Sequence, residues 1–183
     1  MKILGISGRR QSGKDTIAKY LRNLLKYRFR VNVASTADWP KQILYGAGVP
    51  REALHGTDAE KSALLPCGAS GRDLTRDLYN LLTRHDPAAL IDRVIDESRI
   101  MRHNLLVMPC IRNIVDVERI HANGGLVVRL DRVPHSGDTR REEIELDGYP
   151  HFDYHVADKP PLDVVVDVMH FLNTRGWFDD ADD

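Results

Sequence analysis

Cysteine is nearly absent from this sequence: its 183 residues include two, Cys67 and Cys110. Two thiols give neither a disulfide framework nor paired zinc-ligand spacing, which makes a reduced, intracellular setting the default. Long hydrophobic runs are missing as well, so no stretch is long enough to cross a bilayer as a helix. The first residues do not read as a signal peptide, because Arg9, Arg10 and Lys14 interrupt the apolar stretch almost at once. There is no charge excess: 26 Lys and Arg stand against 27 Asp and Glu, a net of −1. No overall field therefore draws a nucleic-acid polymer or a membrane surface, and neither is expected as a partner. An anionic ligand would need a local basic cluster. The eight histidines show no metal spacing such as H-E-x-x-H, so none is assigned to a metal.

What is present is an alternation of short apolar runs and helical patterns. Strands are expected at residues 2–6, 31–35, 105–110, 126–130 and 152–156. The run at 105–110 is continuously apolar, as in a strand buried on both faces. Between them the periodicity predicts helices at 14–27 (Ile17, Leu21, Leu24 and Leu25 on one face), 38–45, 71–84, 113–123 and 160–173, the last with Leu162, Val165, Met169 and Leu172 inward. A further helix starts sharply at Asp86 as N-cap and Pro87, with Ile91, Val94, Ile95 and Ser98 sharing a face. Residues 46–70 are rich in Pro, Gly and Ser, with one short helical stretch around 58–65. Residues 131–148 are polar, charged and without period, and read as a loop or flap; residues 179–183 form an acidic tail. The order predicts one α/β domain over 1–178, a three-layer sandwich with a five-stranded parallel sheet and helices on both faces. Ligands in such sheets bind at the carboxyl ends of the strands.

The stretch "GISGRRQSGKDT", residues 5–16, lies at that edge. It meets the G-x-x-x-x-G-K pattern of a phosphate-binding P-loop through Gly8, Gly13 and Lys14. The glycines let backbone N–H groups turn around an anion, the helix adds its positive end, and Lys14 reaches the β- and γ-phosphates. The motif follows a strand and opens an amphipathic helix, which is the context it needs. Asp15 stands where a Ser or Thr usually supplies magnesium with a hydroxyl. A carboxylate is also a hard oxygen ligand, so Asp15 either contacts the metal, directly or through water, or serves as a first-turn acid that favours the helix dipole. Thr16 follows and could bond a phosphate oxygen. No Asn-Lys-x-Asp element for reading guanine is present.

Four stretches carry a family resemblance: "SGRRQSGKDT", "STADWPK", "LLVMPCIRNIVDVERIHANGGLVVRLDR" and, more weakly, "DTRREEIELDG" with "FDYHVAD". Together they resemble the bacteriophage-type deoxynucleoside monophosphate kinases, which are adenylate-kinase-like P-loop phosphotransferases. The Gly-Lys-Asp-Thr form of the loop is typical of that family. The resemblance implies a nucleoside-kinase type of fold, with an acceptor-binding region at about 38–86 and a lid at about 131–148. It implies that Gly8, Ser12, Gly13, Lys14, Asp15 and Thr16 hold ATP phosphates and Mg2+. Asp38 and Lys41 would lie at the acceptor, and Arg72 and Arg84 would hold its phosphate. Arg112 would approach the transferring phosphoryl group, with Arg132 and Arg140 as lid contacts; Lys14, Arg112 and Arg132 are the catalytic candidates. Each of these arginines has a plainer reading as a solvated surface charge, and Asp38 as a helix cap.

One position departs from the family pattern. The third strand should end in an Asp before x-Arg, and Cys110 stands there. Either Asp15 or Asp116 compensates, or the chain is a weakened nucleotide-binding regulator. The activity expected is ATP-dependent phosphorylation of a (deoxy)nucleoside 5′-monophosphate in the cytoplasm (the host's, if viral). Another small-molecule P-loop kinase, such as one acting on dephospho-coenzyme A, is the remaining alternative. Base selectivity would rest on residues 39–70, and the family leaves room for a homodimer.

Overall fold

Five strands, all parallel, hydrogen-bond in the order β2-β3-β1-β4-β5. They are β1 (Lys2–Gly8), β2 (Val31–Val33), β3 (Leu105–Ile111), β4 (Leu126–Leu130) and β5 (Tyr154–Val156). The structure is a computed structural model and describes residues 1–132 and 145–179. The three central strands are buried along almost their whole length, which explains their continuous apolar sequences. The period of two sorts their side chains between two layers. Leu4, Ile6, Leu105, Val107, Val128 and Leu130 join one core with α1 (Lys14–Leu25) and the C-terminal helix α8 (Pro161–Thr174). On the other face, α7 (Ile114–Ala122) packs against β1 and β4. A Cβ added to Gly5 would come within 2.7 Å of Ile120 Cδ1, so the residue is small because that helix lies so close. The result is a three-layer α/β fold with helices on both faces of the sheet.

The chain divides into two compact units: Met1–Ser35 with Val94–Asp183, and Thr36–Arg93. The first holds the sheet. The second is helical, with α2 (Asp38–Gly46), α3 (Arg51–His55), α4 (Asp58–Ser62) and α5 (Gly71–Thr83). α5 packs on α2, α3 and α4. Its first residue must be glycine, because a Cβ on Gly71 would meet Ala53 O at 2.1 Å. Ser70 caps the helix by accepting from Asp73 N, and Thr57 and Glu60 form a reciprocal capping box on α4. Arg93 lies over the Trp39 ring at 3.7 Å. α6 (Ala89–Ile100) runs across the boundary between the units.

Several sequence expectations need correction. Leu24 and Leu162 point outward, 57% and 61% exposed; Ala18 on α1 and Val164, Val168 and Phe171 on α8 are the inward residues instead. α6 is regular from Ala89, and Asp86 caps the turn that leads into it: its Oδ1 accepts from Ala88 N at 3.0 Å and its carbonyl from Ala89 N at 3.1 Å. The cap position of α2 is Ala37, and Asp38 is the first helical residue. α3 lies in the stretch where no helix was expected. The shared face of Ile91, Val94, Ile95 and Ser98 is present, all four at 6% exposure or less.

Candidate phosphate-binding site

The loop after β1 sits at the carboxyl edge of the sheet's central strand. Its backbone turns through left-handed values at Gln11 (φ 63°) and Gly13 (φ 89°). Gly13 pays for that turn with no side chain, and a Cβ on Gly8 would strike Ser12 Oγ at 2.7 Å. Gly13 is also the N-cap of α1, so the positive end of the helix dipole points into the loop. Lys14, 7% exposed, folds back over it. Its Nζ donates to Gly8 O at 2.5 Å, to Arg9 O at 2.7 Å and to Ser12 Oγ at 3.3 Å. An ammonium bonded to two loop carbonyls and a serine hydroxyl, beside a helix N-terminus, places positive charge where an anion could be held.

The other candidates near the loop take distinct places. Asp15 and Thr16 are exposed on the first turn of α1. Arg132 reaches toward the loop: a Cβ on Gly13 would lie 3.9 Å from its Nη1, and its Nε lies 3.5 Å from Asp158 Oδ1. Ser12, Leu130, Arg132, Val156 and Asp158 line a small depression beside the loop. Arg112 follows β3 and is half-buried. Arg140 lies outside the described residues, as does most of the expected lid.

Cys110 is half-buried near the end of β3, a free thiol. Asp116 lies beside the end of the same strand. It is 1% exposed and turned onto the start of its own helix, where Oδ2 accepts from Arg112 N at 3.5 Å. Burial pushes its carboxyl from 3.8 up to about 6, against the lowering effect of the Arg112 and Asn113 N–H groups. Among the described residues no group of three or more His, Cys, Asp or Glu could hold a metal. Mg2+ does not require one, since it is commonly held by one or two protein oxygens together with waters and substrate phosphates. Asp15 and Thr16 fit that sparser role.

The proposed acceptor residues all fall in Thr36–Arg93. Arg72 Nη2 donates to Asp58 Oδ1 at 3.0 Å. Arg84 is the exposed C-cap residue of α5. His55, which the sequence did not flag, has its proton affinity lowered by burial first and then by Lys41, with Arg51 and Lys61 adding to this and Asp38 opposing it. Lys41 and Asp38 therefore both act on the charge of His55. Trp39 lies under Arg93.

Sequence reasoning also missed an ionic network at the loop. Arg129, on β4, donates to Ser7 and Asp147, and Asp147 also pairs with Arg9. The available signal was one charged residue inside the apolar strand "LVVRL".

Strand order and layers together define a three-layer α/β fold with the glycine-rich loop at the carboxyl end of its central strand. No family model matches the sequence, and no curated protein matches it. Among solved structures, shikimate kinase from Aquifex aeolicus is similar at TM-score 0.55 and 16% identity, covering 95% of this chain and 98% of that one. A gluconokinase from Sinorhizobium meliloti 1021 is similar at TM-score 0.50 and 12% identity, covering 98% and 97%. Identity this low establishes shared fold.

Proposed function

We propose that this chain transfers the γ-phosphoryl group of ATP to a (deoxy)nucleoside 5′-monophosphate. The observation that carries the reading is the phosphate loop: Lys14 Nζ lies 2.5–3.3 Å from Gly8 O, Arg9 O and Ser12 Oγ, above the N-terminus of α1. Gly8, Ser12, Gly13, Lys14 and Thr16 would cradle the donor phosphates. Asp15 and Thr16 would hold Mg2+, which when bound screens charge on the β- and γ-phosphates. Arg112 and Arg132 would neutralise charge developing on the transferring group, as guanidiniums suit phosphate oxygens. Asp38, Lys41, Arg72 and Arg84 would hold the acceptor. Transfer is direct and in line, because positioning and charge stabilisation suffice for this chemistry and no protein nucleophile is needed.

The nucleoside monophosphate acceptor is supported by the resemblance of the four quoted stretches to the phage-type kinases. A second reading, a nucleotide-binding regulator with weak catalysis, is favoured by one observation: Cys110 replaces an expected carboxylate while Asp116 accepts from the backbone of Arg112, ahead of α7. A third, another small-molecule kinase of this fold, belongs in the same test. The protein is incubated with ATP and Mg2+, and ADP release is followed with each common dNMP and NMP, dephospho-coenzyme A, shikimate and gluconate. Acceptor-dependent ADP release with a nucleoside monophosphate is expected. Release with none of the panel sinks the kinase reading, and release with another acceptor alone replaces the substrate. Cys110→Asp should raise the rate if the missing carboxylate limits it.

A further inference from the structure

Arg129 is a charged side chain in a buried strand, 8% exposed. A guanidinium in such a place needs partners for its donors. Its Nη1 donates to Ser7 Oγ at 3.0 Å and its Nη2 to Asp147 Oδ1 at 2.7 Å. Asp147 accepts in turn from Arg9, through Oδ1 from Nε at 3.4 Å and through Oδ2 from Nη2. Ser7 and Arg9 flank Gly8, the first glycine of the phosphate loop. One carboxylate and one buried guanidinium therefore grip the chain on both sides of that glycine.

Asp147 is itself held in place. The neighbouring Leu146 is 3% exposed. Glu145 Oε1 accepts from Ile114 N, at the start of α7, at 3.2 Å. Three consecutive residues thus anchor to a helix terminus, to the core and to the loop.

We propose that Asp147 is a positioning residue for the nucleotide phosphates. Acting through Arg9 and Arg129, it keeps residues 7–9 in the shape in which the loop's backbone and Lys14 meet a polyphosphate. The inference rests on the phosphate-loop reading above. Its physical basis is preorganisation: a loop already in its binding shape loses less freedom when the ligand arrives. The charges agree, since Arg9, Arg129 and Asp147 together leave one positive charge beside the anion site. A rival view makes Asp147 a stand-in anion that phosphates must displace from Arg9. That view predicts the opposite sign, because removing the carboxylate would then tighten ATP binding.

The test is calorimetric titration of the full chain with ATP and Mg2+, alongside thermal melting. Asp147→Asn keeps the size and removes the charge; its Kd for ATP should rise about tenfold. Asp147→Glu should recover most of the loss, which a role in fold stability alone would not require. Arg9→Ala should also weaken binding, and the double variant Arg9→Ala/Asp147→Asn should lose less than the two losses combined, because both act through one contact. Lys14→Ala is the control for the parent reading. If it leaves ATP affinity unchanged, the phosphate-loop reading itself fails. If Lys14→Ala weakens binding while Asp147→Asn matches or exceeds wild-type affinity below its melting temperature, the positioning role alone is overturned. Should Asp147→Asn not fold, Arg9→Ala carries the test, and unchanged affinity there overturns the proposal.

Discussion

In the unit formed by Met1–Ser35 and Val94–Asp183, Leu4, Ile6, Leu21, Val107, Val128 and Leu172 meet in one continuous core, each at most 1% exposed. In Thr36–Arg93 the helices bury far less. α5 runs for 13 residues and buries only Gly71, α2 buries only Pro40, and α4 buries nothing. Leu54, 1% exposed, and Ala53 are the buried residues of α3. The first unit is held by a large apolar core; the second has a smaller apolar set, Leu54, Leu90 and Ile91, joined by caps, ion pairs and close backbone approach, such as Ser70 with Asp73, Arg72 with Asp58, and Gly71 against Ala53. The difference suits the proposed division of labour. On the proposed reading, the donor site would sit on the well-packed sheet edge, and the acceptor site that sets specificity would lie on the more thinly packed element.

The sharpest way to break this comparison is at Lys14. Lys14→Ala should lower kcat/KM of ATP turnover by about 10³, the scale of losing one charge-stabilising donor. A variant keeping more than about a tenth of the wild-type rate would remove the loop from the chemistry. Next in size are paired truncations. Leu21→Ala should cost about 3–4 kcal/mol in urea unfolding, whereas Leu81→Ala, at a position 54% exposed on α5, should cost under about 0.5 kcal/mol. Equal losses would show that the second unit has a core of its own strength.

Asp116→Asn follows. The folded state holds the Asp116 proton more tightly than the unfolded chain, so this group's contribution is full below about pH 4 and is lost as pH rises through about 6. The amide cannot ionise, so the variant should be more stable by about 2–3 kcal/mol at about pH 8, with the gain vanishing below about pH 4. Denaturant midpoints across that range check the sign. Smaller than the Asp116 effect is that at Arg72, where Arg72→Ala should raise the acceptor KM about tenfold and leave ATP affinity unchanged. A changed ATP affinity would blur the two roles.

The sheet was readable because its strands are self-contained signals: β4 is "LVVRL", and β3 is a run with no polar residue but Cys110. The phosphate loop was readable for the same reason, since its glycines and lysine act within one turn of chain. Helix faces were read less well at their margins. Leu24 and Leu162 sit at helical spacing from true core residues, yet the buried stripes are centred elsewhere, on Ala18 and on Val164, Val165 and Val168. α3 was missed because five residues give no period. The Arg129–Asp147–Arg9 network was invisible for a different reason. Arg9 and Asp147 lie 138 residues apart, and no spacing rule links two charges that only the folded sheet edge brings together.

The most direct test of the central claim is hydrogen exchange measured residue by residue, with ATP and Mg2+ alone and then with a nucleoside monophosphate alone. The account predicts that ATP slows exchange in residues 8–17 and that the monophosphate slows exchange within Thr36–Arg93. Protection of residues 8–17 by the monophosphate and none within Thr36–Arg93, or no response of residues 8–17 to ATP, would contradict it.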